Sequence, residues 1–252
     1  MQGDFDHRLH HAADCIKSAR AAVAFTGAGI SVPSGIPDFR SPGGLWSKYD
    51  PFLVASAQAL DTNPDKVWEF LLETSALLDR SEPNAAHQAL ARLEQRQLLQ
   101  GVITQNIDNL HQRAGSEEVV EYHGNFQRFY CRDCRTSIPL DAIRKITSES
   151  IPLRCASCNG LVRPDVVFFG ESIPAAAHAR SLQLLHGADL LIIAGTSGTV
   201  APANSLPNLI KHKQGTIIEI NLGSTAYRQI TDIRFDGPVE TILPALVDMA
   251  LS

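Results

Sequence analysis

The chain has 252 residues, 44% hydrophobic and 19% charged, with a formal net charge of −5. That length holds one large domain or two modest ones and buries a sizeable core. The composition excludes a disordered tail, a collagen-like rod and a disulfide mini-protein, and the acidic balance argues against non-specific nucleic-acid binding.

The N-terminal MQGDFDHRLHH carries acids and histidines where a signal peptide needs basic and then apolar residues. The run ADLLIIAG is far shorter than the ~20 residues that span a bilayer. A cytoplasmic protein with no membrane and no direct nucleic-acid partner is expected. Leu9, Ala12, Ile16 and Ala19 recur at helical spacing and predict an amphipathic helix over 7–21. VAFT then predicts a strand, followed by the glycine turn Gly27-Ala28-Gly29 and a helix N-terminus, the opening of a nucleotide-binding βαβ unit. VPSGIPDFRSPGGLW, with three prolines and three glycines, reads as a long functional loop.

Asn63-Pro64-Asp65 predicts a capped helix start, with Val67, Phe70, Leu71 and Leu78 inward. A further helix follows Ser81-Glu82-Pro83, burying Ala86, Leu90 and Leu93. GVITQ predicts a strand. DVVFF, ADLLIIAGTSG and TIIEINLG are apolar runs that predict strands of a parallel sheet covered on both faces. The expected fold is α/β: a doubly wound, Rossmann-like domain with a smaller domain built from two insertions. The expected boundaries are 1–46, 84–123 and 164–252 for the large domain, 47–83 for a helical module and 124–163 for a zinc module.

Four of the five cysteines form two close pairs, Cys131-x2-Cys134 and Cys155-x2-Cys158, with 20 residues between them. In a reducing compartment such pairs read as metal ligands. Four thiolates close a tetrahedral zinc site and leave no position for water, so the expected metal is structural. A set of buried or redox thiols is the plainer alternative. Cys15 fits a small core residue.

The glycine turn lacks a third fingerprint glycine, since Val32 occupies that place. Alone it is an ordinary tight turn as readily as a phosphate site. Gly195-Thr196-Ser197 and Asn221-Leu222-Gly223 end two further strands, where α/β folds bind ligands. Gln105, Asn106 and Asp108 crowd a strand end, and buried amides and carboxylates need partners or a ligand. His111 reads as structural. His123 has the residue type for general-base work near neutral pH, although nothing local separates it from a hydrogen-bonded core histidine.

GAGISVPSGIPDFRSPGGLW, TQNIDNLHQRAG, YHGN, the paired CxxC units, RPDVVFFGE, GTSGTVAPA and EINLG stand in the order of the sirtuins. The chain resembles a compact prokaryotic sirtuin from about residue 15 to 248. The family is one of NAD-dependent protein-lysine deacylases. The resemblance implies that acyl-lysine and NAD are converted to lysine, nicotinamide and O-acyl-ADP-ribose. It implies His123 and Asn106 as catalytic residues. Ala28, Gly29 and Arg40 would hold phosphates, and Phe39 would shield the reacting carbon from water. Gln105 would hold the nicotinamide ribose, while Asn106, Ile107 and Asp108 form the nicotinamide pocket. Gly195, Thr196 and Ser197 would meet the phosphates and adenosine ribose, Asn221 and Leu222 the adenosine half, and Val239 would close over the adenine. Val167, Phe168 and Phe169 would pair with an extended substrate backbone. Family members that remove acidic acyl groups pair a tyrosine with an arginine behind the lysine channel. SKYDPFLVASAQAL offers Tyr49 and no arginine, so neutral short acyl groups are expected. Protein mono-ADP-ribosyl transfer is the alternative activity.

Overall fold

The computed structural model describes residues 2–38 and 45–252; Phe39 and Arg40 lie outside the described residues. In chain order, α1 (Gln2–Ser18) precedes β1 (Ala22–Thr26). Four helices follow: α2 (Leu45–Lys48), α3 (Pro51–Val54), α4 (Ala57–Thr62) and α5 (Pro64–Arg80). Next come α6 (Ala85–Gln95), β2 (Val102–Thr104), α7 (Leu110–Arg113) and β3 (Val119–Glu121). The cysteine segment contributes β4 (Gly124–Cys131), β5 (Ser137–Ile138), α8 (Leu140–Ile143) and β6 (Val162–Val166). The chain closes with α9 (Ala175–Gly187), β7 (Leu190–Ala194), α10 (Asn208–His212), β8 (Thr216–Asn221), β9 (Ile233–Asp236) and α11 (Val239–Leu251).

Six strands form one sheet in the order β3-β2-β1-β7-β8-β9, and every pairing in it is parallel. Alternate strand residues point to opposite faces. Ala22, Ala24, Ile192 and Ile218 pack with α1, α6 and α11 on one side. Val23, Phe25, Ile193 and Ile217 pack with α9 and α10 on the other. Burial on both faces explains why these strands read as unbroken apolar runs. The order reverses direction between β1 and β7, which is the switch point where open α/β sheets receive ligands.

The two insertions share a cluster of their own, with Trp68 and Phe70 from α5 against Phe129, Ile143 and Val162. The Trp68 indole N–H donates to the Val162 carbonyl at 3.1 Å, and Arg132 pairs with Asp61. β5, β4 and β6 make a separate antiparallel sheet.

Three expectations need correction. Among the described residues no α-helix directly continues the glycine turn; two short 3-10 turns, Ala28–Ile30 and Val32–Ser34, take its place. Pro33 lacks the N–H that a continuing helix requires, and Gly35 ends the second turn at φ 86°. DVVFF is not a strand of the parallel sheet. The strand is β6, its partner is β4, and Phe168 and Phe169 lie beyond its end. Pro164 explains this placement, since a residue without an N–H suits an edge strand. Asn63 occupies the cap position of α5 without a side-chain cap bond, so Pro64 at the first turn sets that start. The cap bond belongs instead to Asn84 on α6, in a capping box with His87.

Candidate active site

The carboxyl ends of β1, β2 and β7 meet at one point. Gly29 N–H donates to the Gly195 carbonyl at 2.8 Å. A Cβ on Gly29 would lie 2.8 Å from that oxygen, and one on Gly27 would lie 2.7 Å from the Thr196 Cβ. These glycines are therefore required by close contact between two turns, Gly29 against the Gly195 backbone and Gly27 against the Thr196 side chain, before any ligand is considered. The packing leaves the amides of Ala28, Thr196 and Ser197 without an acceptor among the described residues. Three unpaired N–H groups at a switch point fit the diphosphate of a dinucleotide.

Beside them stands a connected polar cluster. Gln105 Nε2 donates to Thr196 Oγ1 at 2.9 Å and to the Thr26 carbonyl at 3.2 Å. Asn106 Nδ2 donates to the Gly27 carbonyl and to Ser31 Oγ, each at 3.1 Å. Asp108 accepts from Ser31 Oγ at 2.7 Å and from the Leu110 amide at 2.9 Å. Burial pushes the Asp108 carboxyl up from its ordinary range, and these hydrogen bonds oppose the shift. A carboxylate offers about four acceptor positions, so two such bonds leave capacity for a ligand amide.

Ser31 and His87 belong to this cluster and were not singled out by sequence reasoning. The Asn84 amide donates to His87 Nδ1 at 3.3 Å, which leaves Nε2–H to face Ser31 Oγ at 3.4 Å. The polarity therefore runs from Asn84 through His87 and Ser31 to Asp108. Burial holds His87 down at about 4, so it is neutral at pH 7. His111 Nε2 lies 2.9 Å from Thr26 Oγ1, and burial lowers this histidine too, consistent with a structural residue. The signal for His87 was its place three residues after the capping Asn84.

His123 is half-buried at the seam between the two sheets. Its Nδ1 lies 2.9 Å from the Gln105 carbonyl oxygen. A carbonyl only accepts, so Nδ1 carries the hydrogen and the lone pair is on Nε2. Burial lowers the His123 pKa, partly opposed by this backbone bond. Gly124, at φ 81°, permits the approach of the neighbouring chain, for a Cβ there would lie 2.1 Å from the Asp165 carbonyl. Ile107 joins the same seam, its carbonyl accepting from the Phe126 amide at 3.0 Å.

The segment Val167–Phe169 is extended between the two units, but its amides are already used. Val167 N donates to the His123 carbonyl, Phe168 N to Glu171, and Phe169 N to the Ala55 carbonyl, all at 2.9 Å. Phe168 is buried, whereas Phe169 is 39% exposed beside Phe52. The Val167 carbonyl accepts no hydrogen bond among the described residues.

At the far turn, Asn221 is buried and Leu222 is 74% exposed. Asn221 Nδ2 donates to Glu219 at 3.1 Å. Glu219 is fully buried, and it also accepts from Thr231 at 2.8 Å and pairs with Arg234 at 3.2 Å. Sequence reasoning missed this acid because it sits inside an apolar strand run. Val239, the first residue of α11, is buried in the core beneath the sheet.

Cys131, Cys134, Cys155 and Cys158 bring four Sγ atoms within 4.8 Å of one another. The Cys131–Cys158 and Cys134–Cys155 separations are 3.4 and 3.7 Å, well beyond a disulfide bond. Tetrahedral zinc with Zn–S near ~2.3 Å spaces its thiolates about 3.8 Å apart. In each pair the first cysteine's carbonyl accepts from the amide four residues on, at Arg135 and Asn159. Those two residues have φ 62° and 61°. The two loops are thus matching knuckles around one ion-sized space, and the four thiols fit structural zinc.

An all-parallel sheet with open amides at its switch point, joined to a four-cysteine module, defines a dinucleotide-binding α/β protein with a zinc-stapled small unit. The Sir2 family model matches residues 27–202, and the chain belongs to that family. It is 47% identical to an NAD-dependent protein deacetylase of Caldivirga maquilingensis, over 88% of this chain and 86% of that protein. It is 42% identical to NAD-dependent protein deacylase 2 of Pyrobaculum aerophilum, over 94% and 93% of the two chains. A solved Sir2 mutant bound to a p53 peptide and NAD superposes with a TM-score of 0.85 at 36% identity, covering 93% of this chain and 95% of that one.

Proposed function

We propose that this chain is an NAD-dependent protein-lysine deacylase acting on acyl-lysine in an extended peptide, in the cytoplasm. The observation that carries the reading is the His123–Gln105 hydrogen bond. It gives a half-buried imidazole a fixed tautomer, with its basic nitrogen free beside a cluster of amide and carboxylate groups. NAD, when bound, supplies the glycosidic bond to nicotinamide whose breakage drives acyl transfer.

The residues divide that work. The open amides of Ala28, Thr196 and Ser197 hold the diphosphate. Gly29 and Gly195 bring the two turns together, and Arg40 and Phe39 join this group by the family resemblance alone. Asn106 and Asp108, oriented through Ser31, hold the carboxamide of nicotinamide, with Ile107 alongside. Gln105, anchored to Thr196, meets the ribose. His123 Nε2 removes a proton from a ribose hydroxyl. Asn221 and the exposed Leu222 receive the adenosine half, and Val239 supports that end from the core. Val167 offers its carbonyl, and Phe169 its ring, to the peptide. The amides of this segment are occupied, so pairing with the substrate runs through acceptors on this side. The four cysteines hold zinc away from this chemistry. The separate clusters support two units, a large domain taken as 1–46, 84–123 and 164–252 and a small one as 47–83 and 124–163, with β6 of the small sheet running on to Val166 and Ile36, Leu110 and Phe168 packing into the small unit's cluster.

Incubation with an acetyl-lysine peptide, with and without NAD, tests the reading when peptide mass and released nicotinamide are followed together. Equal, NAD-dependent loss of acetyl and gain of nicotinamide is expected. Nicotinamide release with ADP-ribose gained by the protein target would replace this reading with ADP-ribosyl transfer. A succinyl-lysine arm tests the acyl class. The Tyr49 hydroxyl is engaged by Glu73, which also pairs with Lys48 at 2.8 Å, so an acidic acyl group meets a carboxylate here. Acetyl is expected to be removed at least about tenfold faster than succinyl, the scale of one lost charged hydrogen bond.

A further inference from the structure

Arg163 is 6% exposed although it carries a charge, and buried arginine requires an explanation. Its guanidinium forms a two-pronged pair with Glu171: Nη1 meets Oε1, and Nη2 donates to Oε2 at 2.8 Å. Nη2 also donates to the Val166 carbonyl at 2.7 Å, and Nε to the Pro164 carbonyl at 3.3 Å. The Phe168 ring stacks 4.6 Å from the guanidinium carbon. From the other side, Glu171 Oε2 accepts from the Phe168 amide at 2.9 Å, and the Glu171 amide donates to the Phe168 carbonyl at 3.0 Å. Residues 166–171 are therefore wrapped around one ion pair, and neither partner was expected to act in function.

The wrapping has a directional consequence. Phe168 is turned inward, which sends its neighbours Val167 and Phe169 the other way, as extended backbone requires. Val167 is then anchored to His123, and Phe169 bridges to Ser56. We propose that the Arg163–Glu171 pair is a positioning device for substrate: it sets the register in which the Val167 carbonyl and the Phe169 ring are presented to the backbone flanking the acyl-lysine. This rests on the deacylase reading above. The bonds of Arg163 and Glu171 run to Pro164, Val166, Phe168 and each other, and to none of the groups assigned above to NAD, so their effect is confined to substrates that have a flanking backbone.

The test compares an acetyl-lysine decapeptide with free Nε-acetyl-lysine, which has no flanking peptide group. Wild type, Glu171→Gln, Glu171→Asp and Arg163→Lys are assayed with both substrates, with melting temperature recorded for each. Loss of the charged fork is expected to raise the peptide KM about tenfold to a hundredfold, the scale of one or two charge-assisted hydrogen bonds. The peptide kcat, the NAD KM and all constants for the single-residue substrate are expected to stay within about twofold, too little to signal a lost hydrogen bond, and Glu171→Asp is expected to recover part of the peptide KM. Equal losses on both substrates would overturn the proposal and leave the pair a general structural contact. An unchanged peptide KM in folded Glu171→Gln would overturn it as well. A wild-type protein that deacetylates neither substrate would instead overturn the deacylase reading on which it rests.

Discussion

The Nδ1 atom of His123 lies 2.9 Å from the carbonyl oxygen of Gln105, and this contact helps join the sheet's polar cluster to the seam with the small domain. Because the carbonyl cannot donate, the imidazole is held with Nε2 unprotonated. His123→Ala removes the base, and general-base contributions are typically ~10²–10⁴-fold. Acyl loss is expected to fall by about that factor, with NAD binding and melting temperature nearly unchanged. Burial holds the His123 pKa below its ordinary value. The neutral, active form therefore persists into mild acid, and the acid limb of kcat/KM, which reports the free enzyme, is expected below pH ~6.5. A limb centred above that value in the wild-type pH profile would contradict the burial argument.

Gly29 and Gly195 pack backbone against backbone. A Cβ added at Gly29 would lie 2.8 Å from the Gly195 carbonyl oxygen and 2.9 Å from its Cα. Neither atom is the end of a flexible side chain, so the turns must separate. Gly29→Ala is expected to lose about 1–3 kcal/mol by overpacking and to raise the NAD KM strongly. Gly187→Ala, at the end of α9 with open space around it, serves as the control. It is expected to be neutral or to stabilise by about 0.4–1 kcal/mol. Calorimetry and NAD titration of the two variants check the contrast.

Zinc removal is expected to be read by Trp68. That indole is fully buried, bonded to Val162 and 6.3 Å from Phe129, whose strand ends at Cys131. The small sheet has too little core to hold without the metal. In a Trp46→Phe background, which leaves Trp68 as the single tryptophan, a chelator is expected to red-shift emission and lower the melting temperature. Cys155→Ser is expected to behave likewise without chelator. Unchanged emission with zinc fully stripped would remove the structural role.

The buried histidines make stability fall in acid. His87 titrates at about 4 in the folded protein, against ~6.5 when exposed. Between these values the unfolded chain binds the extra proton, so stability decreases as pH falls. The contribution of neutral His87 is complete above pH ~6.5 and lost progressively down to about 4. His111 is shifted in the same direction, while the raised Asp108 acts oppositely. His87→Gln keeps a side chain suited to the capping box and removes one titration. Its melting temperature is expected to vary less between pH 6.5 and 4.5 than that of wild type. Parallel melting profiles would show that His87 is not the group responsible.

Local chemistry alone makes much of this protein legible. Helical periodicity placed Val67, Phe70, Leu71 and Leu78 on one buried face, and a two-faced apolar pattern marked β7 and β8. Four cysteines at fixed spacing implied one metal site, and polar residues at the end of β2 implied a ligand, because both signals are short-range and chemically specific. The order of family motifs carried the activity. Tertiary structure decided what depends on distant partners. β6 left the parallel sheet because its partner is β4. Ser31 became the centre of the polar cluster because Asp108 and Asn106 arrive from 77 and 75 residues away. The tautomer of His123 depends on the Gln105 carbonyl, 18 residues earlier. A sequence states which groups are able to donate, accept or stack. Only the folded chain brings each group within ~3 Å of its partner, and at that range hydrogen bonds set charge state and direction.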